Sequence, residues 1–132
     1  MAYHPIVFQG SIASGSTSLT DLPALSDGVV QTVNSHFVHR NALYLIAACA
    51  LGDSLNRVRV TTPSMRGIAP VFIRPINQTS TAATPPTDPN LALFRDNPVI
   101  LPANEEIIVD VARDGAGSET VRVVLFVAEK LV

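Results

Sequence analysis

The side chains able to bind a metal or attack a bond are few, and their spacing suits neither task. His36 and His39 stand three apart. On a strand that separation sends them to opposite faces, so they cannot ligate one ion together, and His4 is remote in sequence. Glu105 and Glu106 are adjacent and diverge in the same way, whereas a two-carboxylate mechanism needs both groups on one bond. Asp110 shares a face with Glu106, which reads as a solvated strand edge. The segment Asp114-Gly115-Ala116-Gly117-Ser118-Glu119 lacks the alternating Asp/Asn ligands of a calcium loop and reads as a turn. Cys49 lies in an apolar stretch with no base beside it and behaves as a small hydrophobe. The serines between Gly10 and Ser18 form neither a Gly-x-Ser-x-Gly elbow nor a phosphate-cradling loop with its lysine. The expectation is a protein that is not an enzyme and needs no metal or cofactor.

Composition turns attention from chemistry to surface. Of the 132 residues, 47% are apolar and 15% charged, with a net charge of −2. A near-neutral, slightly acidic chain with no tryptophan and no basic patch argues against nucleic-acid contact. One cysteine excludes an internal disulfide and a four-cysteine zinc site. The mean hydropathy of +0.31 is high for so small a domain, which leaves roughly a third of its unfolded surface in contact with its surroundings. The surplus must face lipid or protein. Its longest apolar run, Ala42 to Leu51, is ten residues, where a spanning helix needs about 20. No basic segment followed by an apolar one opens the chain, so no signal peptide is expected. Asn77-Gln78-Thr79 matches a glycosylation sequon but carries little weight without one. Protein is the remaining candidate. Eight arginines against the single Lys130 fit an interface composition, although the fifteen alanines suit a codon-biased genome equally well.

The elements read as short strands joined by turns. Strands are expected at Tyr3 to Gln9, Val29 to Val33 and Leu55 to Thr61, and again at Ile68 to Ile76, Leu91 to Phe94 and Pro98 to Leu101. His36 to Arg40 is a further candidate. Arg57-Val58-Arg59-Val60 alternates strictly, as a half-buried strand does. Ala42 to Leu51 suits a helix or a buried strand. Gly52-Asp53-Ser54, read as a hairpin loop into Leu55, favours the strand. Glu105 to Ala112 and Thr120 to Ala128 read as a hairpin with a glycine-rich tip. Gly10 to Thr20 is a loop, Leu22 to Leu25 is too short for a helix, and residues 77–90 form a long Pro/Thr-rich loop. About eight strands in one domain, residues 1–132, describe an all-β fold: an antiparallel β-sandwich or small barrel.

A sandwich strand needs only one buried face. Val121, Val123, Leu125 and Val127 fill one face of the last strand, yet Val124, Phe126 and Ala128 fill the other, with Arg122 as its only charge. Ala42 to Leu51 is apolar on both faces. Either a neighbouring subunit covers these outer faces or residues 10–25 fold back over them. Removing about 500 Å² of apolar surface per subunit would contribute on the order of 12 kcal/mol before association costs. The candidate interface residues are therefore Arg122, Val124 and Phe126. Arg57 and Arg59 project together and can meet carboxylates across a boundary. Thr84, Pro85, Pro86 and Pro89 belong to the loop best able to reach a neighbour.

The stretch Asn97-Pro98-Val99-Ile100-Leu101-Pro102-Ala103-Asn104-Glu105-Glu106-Ile107-Ile108-Val109, with the strands that follow to Leu131, resembles the entry to the closing strands of jelly-roll virion proteins: small phage and viral coat, minor-capsid and capsid-decoration proteins. The resemblance implies a jelly-roll-like sandwich that builds or cements a capsid, found in the virion after assembly in host cytoplasm, with copies of itself and other capsid subunits as partners and no membrane. Met1 to Leu25 holds no Arg or Lys, which departs from a genome-lining arm and shifts weight to an outer decoration role. The alternative is a carbohydrate- or receptor-binding β-sandwich of a virion fibre. A cupin-like enzyme would require clustered His and Glu ligands that the sequence does not offer.

Overall fold

The computed structural model describes residues 3–12, 20–26, 29–30, 36–38, 41–52, 55–65, 70–73, 76–77, 92–93, 99–113 and 119–129. They contain thirteen strands and no helix. Five strands are long: β1 (Tyr3–Ile12), β6 (Leu43–Gly52), β7 (Leu55–Thr61), β12 (Glu106–Arg113) and β13 (Glu119–Glu129). The others have two or three residues: β2 (Thr20–Asp21), β3 (Ala24–Ser26), β4 (Val29–Val30), β5 (His36–Phe37), β8 (Val71–Ile73), β9 (Ile76–Asn77), β10 (Ala92–Leu93) and β11 (Val99–Leu101). The count exceeds the eight expected because the weakly patterned stretches break into short pieces.

Two sheets make a β-sandwich. The larger runs β10-β6-β13-β1-β3-β4, with β11 and β9 also on β6, and the smaller runs β2-β12-β7-β8, with β5 also on β12. Pairing is antiparallel except between β6 and β9, which are parallel. The period-2 pattern dictates what lies between the sheets. Ile6, Phe8 and Ile12 of β1, Leu43, Leu45, Ala48 and Ala50 of β6, and the four expected residues of β13 meet Val58, Val60, Ile73, Ile107, Val109 and Val111 in one buried cluster. Ala42 to Leu51 is thus resolved as strand. Its alanines let it sit between β13 and the short strands without a bulky side chain on every position.

Both expected hairpins are corrected. β6 and β7 do not pair with each other: β6 pairs with β13, and β7 with β12. The same holds for β12 and β13, which lie in opposite sheets. Each short link carries the chain from one sheet to the other, so the apolar inner faces of consecutive strands oppose each other across the core. Two residues separate β6 from β7 and five separate β12 from β13, and turn chemistry in so short a link does not distinguish a hairpin from a crossing between sheets. Ser26-Asp27-Gly28 does join paired strands, with Ser26 opposite Val29.

Residues 20–26, expected as a loop and a fragment, instead seam one side of the sandwich. The Leu22 N–H donates to the Val109 carbonyl at 2.8 Å in the smaller sheet, and the Gln9 N–H donates to the Pro23 carbonyl at 3.0 Å in the larger. Leu22 is fully buried between them. The expected Ile68 to Ile76 strand is two pieces, β8 and β9. Thr84, Pro85, Pro86 and Pro89 lie outside the described residues.

Candidate assembly surface

The outer face of the larger sheet can be followed row by row through the registers. Pro5 of β1 stands opposite Phe126 of β13, and Phe126 opposite Ala47 of β6. The next row is Val7, Val124 and Cys49, and the next is Gln9, Arg122 and Leu51. Toward the other end, Ala128 pairs with Tyr44, and Tyr44 with Ile100 of β11. The register shifts between Phe126 and Val127 and leaves Ile46 as a bulge on β6. Apolar residues therefore run across four strands, interrupted by one polar pair: the Arg122 Nε donates to Gln9 Oε1 at 2.7 Å.

The chain covers part of this face itself. Cys49 and Leu51 are each 1% exposed and form a small cluster apart from the main core, and Ala47 and Ala128 are also buried. The expectation that the outer face of β6 waits for a neighbour is corrected at these positions. Val7, Tyr44, Ile46, Val124, Phe126 and Arg122 remain half-buried, and Ile100 is 45% exposed.

The smaller sheet presents a different outer face. One row reads Phe72 of β8, Arg59 of β7, Asp110 of β12 and Asp21 of β2. Phe72 is 57% exposed. Arg59 Nε donates to Asp110 Oδ2 at 2.9 Å, and a second guanidinium nitrogen meets the same oxygen. The carboxylate that Arg59 meets thus belongs to its own chain and not to a neighbour. Asp110 is 1% exposed, so the reading of a solvated strand-edge acid is corrected. The burial was invisible in sequence because alternation places Asp110 on the outward face whether or not that face is wet. Arg57, two residues from Arg59, is exposed on this side.

The turn that carries the sequence resemblance is tightly built. Asn104 has φ 63°, the left-handed region that Asn tolerates better than most residues. Its N–H donates to the Val38 carbonyl at 2.8 Å, and the Val38 N–H donates to the Glu105 carbonyl at 2.9 Å. The Glu105 carboxylate accepts from the Ser64 N–H and hydroxyl, both at 2.7 Å. These bonds, the Ser64 hydroxyl foremost, hold the Glu105 carboxyl below its ordinary range. The group is structural: it fastens the 62–65 turn to the start of β12. Among the described residues no group of three or more His, Cys, Asp or Glu side chains converges as a metal site.

No family model matches this chain, and neither a curated protein nor a solved structure is similar to it. The functional reading therefore stands on the two faces just described.

Proposed function

We propose that this chain is a structural subunit that assembles with copies of itself or with companion shell proteins, in the manner of small capsid or capsid-decoration proteins of jelly-roll type. The observation that carries the assembly reading is the outer face of the larger sheet. There Val7, Val124, Phe126, Tyr44 and Ile46 are half-buried and Ile100 is exposed on four neighbouring strands, with the Arg122–Gln9 pair internally satisfied. Contiguous exposed apolar patches mark surfaces where another molecule docks, protein partners among them. The jelly-roll reading is supported by the strand order. Among the described strands the chain changes sheet on passing from β1 to β2, β2 to β3, β4 to β5, β5 to β6, β6 to β7, β8 to β9, β11 to β12 and β12 to β13, and the first and last strands pair along ten positions. Jelly rolls divide eight strands between two sheets in this fashion, and viral shells use them widely. The virion itself is supported by the resemblance of residues 97–131.

Size-exclusion chromatography with light scattering tests assembly. The expected result is a concentration-dependent oligomer for the native chain and a folded monomer for Phe126→Asp. A native chain that stays monomeric at tens of micromolar, alone and with its virion partners, would overturn the reading. Unfolding of Phe126→Asp would instead assign Phe126 to the intrachain core, and Val124→Arg then serves as the second probe.

A further inference from the structure

We propose that copies of this chain join head to tail: the outer face of the larger sheet of one copy seats on the outer face of the smaller sheet of the next, with Arg122 set against the partner's Glu106. The proposal rests on the assembly reading and names the surface that meets the apolar face. Arg122 places a cation on the larger sheet's outer face, where no carboxylate stands among the described residues. Its Nε is taken by Gln9, and it has no ion-pair partner among the described residues. Two larger sheets packed on each other would bring together two such cations with nothing to offset them, and burying an unpaired charge is costly.

The smaller sheet carries what is missing. Alternation about the buried Ile107 turns Glu106 outward, and Glu106 is exposed, with no ion-pair partner among the described residues. The large exposed hydrophobics among the described residues are divided in the same way, with Ile100 on the outer side of the larger sheet and Phe72 on that of the smaller. Each outer face thus combines an exposed apolar group with an unpaired charge, and the two charges are opposite. Their spacings agree. Phe72 lies in the row of Asp110, two strands across and four positions along from Glu106, about 16 Å at ordinary strand spacings. Ala47, beside Phe126, lies one strand across and four positions along from Arg122, about 14 Å. With Arg122 on the partner's Glu106, the partner's Phe72 falls over Phe126 and the small Ala47. Arg57, the exposed cation of the smaller sheet, stands opposite Ala112, six positions along β12 from Glu106, about 20 Å away. A half-exposed charge pair fixes partner and register more than it adds affinity. Arg122 therefore selects a smaller sheet over a second larger one, although an apolar residue there would adhere more strongly. Because the joined faces differ, the contact leaves one of each kind free and propagates into a ring or an open stack.

Sedimentation velocity on variants of the full chain is the test. Phe72→Asp, on the sheet opposite Phe126, should be as monomeric as Phe126→Asp. The two mixed should form 1:1 dimers that grow no further, each chain contributing its intact face. Arg122→Glu and Glu106→Arg should each weaken association by about tenfold or more, because like charges then meet, and the chain carrying both changes should recover it. Phe72 and Glu106 are exposed, so their variants are expected to fold, which circular dichroism checks; Val124→Arg replaces Phe126→Asp if that variant unfolds. Native-like association of Phe72→Asp, no dimer in the mixture, or no recovery in the doubly reversed chain would overturn the head-to-tail contact. Loss of association in Phe126→Asp would still uphold the assembly face in each of those cases, whereas a native chain that never associates would overturn both.

Discussion

Gln9 and Arg122 are joined by a 2.7 Å hydrogen bond between directly opposed residues of the first and last long strands. That bond places a charge within the apolar rows of the larger sheet's outer face, so it limits how strongly the face adheres to an apolar partner. Arg122→Leu keeps the stem packing and removes the charge. The expected outcome is self-association strengthened by about tenfold, equivalent to ~1.4 kcal/mol, with folding intact. Sedimentation equilibrium reads it. Unchanged association would place the contact surface elsewhere on the molecule.

On the smaller sheet, Arg59 and Asp110 predict an asymmetric pair of mutational costs. Arg59→Met leaves a carboxylate that is 2% exposed without its counter-charge. Since Arg59 is itself 23% exposed, water offsets some of the loss, and about 2–3 kcal/mol is expected where a fully buried pair would lose more. Asp110→Asn keeps an acceptor for the guanidinium and should cost about 1 kcal/mol. Urea denaturation separates the two. Equal costs would mean that the pair acts through packing and not through charge.

These residues also mark where the sequence is legible. Inner faces follow from alternation, and Val58, Val60, Ile107, Val109, Val111, Val121, Val123 and Val127 are buried as their spacing demands. What alternation cannot convey is which strand lies next door. The Arg59–Asp110 pair is fifty-one residues apart in sequence and becomes visible only once β7 and β12 are in register. The same blindness turned two sheet-crossing links into hairpins. Leu22 escaped notice because its segment contributes only two or three residues to each sheet, too few to carry a period. The candidate face on β13 was legible because its second apolar set, Val124 and Phe126, has no reason to exist in a strand buried on one side. That Cys49 and Leu51 are already covered depends on tertiary packing that no pattern on β6 encodes.

Gly10 owes its identity to the seam at residues 20–26. A Cβ placed there would lie 2.7 Å from Pro23 Cδ and 3.4 Å from Leu22 Cδ2. The proline ring cannot rotate away, and its carbonyl is held by the Gln9 N–H. Gly10→Ala should therefore destabilise by about 1–3 kcal/mol, in the range of an overpacked core. Hydrogen exchange at Gln9 and Leu22 should accelerate most, since both amides bond across the seam. A neutral substitution with unchanged exchange would show that Pro23 can shift without loosening the sandwich.

Glu105 supplies a pH dependence whose sign is determined. Its carboxyl is lowered from 4.5, chiefly by the Ser64 hydroxyl and then by the Ser64 N–H. A carboxylate depressed in the folded state adds stability that is fully present above its unfolded value, and loses it as pH falls through the lower folded value. The native chain should therefore be more stable than Ser64→Ala at neutral pH, and the difference should shrink as acid protonates Glu105. Carboxyl NMR titration of Glu105 gives the direct readout: its midpoint lies below 4.5 in the native chain and rises in Ser64→Ala, only part of the way because the backbone N–H remains. Asn104→Gly, which preserves the left-handed turn, should leave that midpoint in place, whereas Asn104→Val should disturb it by straining the backbone that presents Glu105. A midpoint indifferent to Ser64→Ala would remove the hydroxyl as the cause and, with it, the fastening of the 62–65 turn to β12.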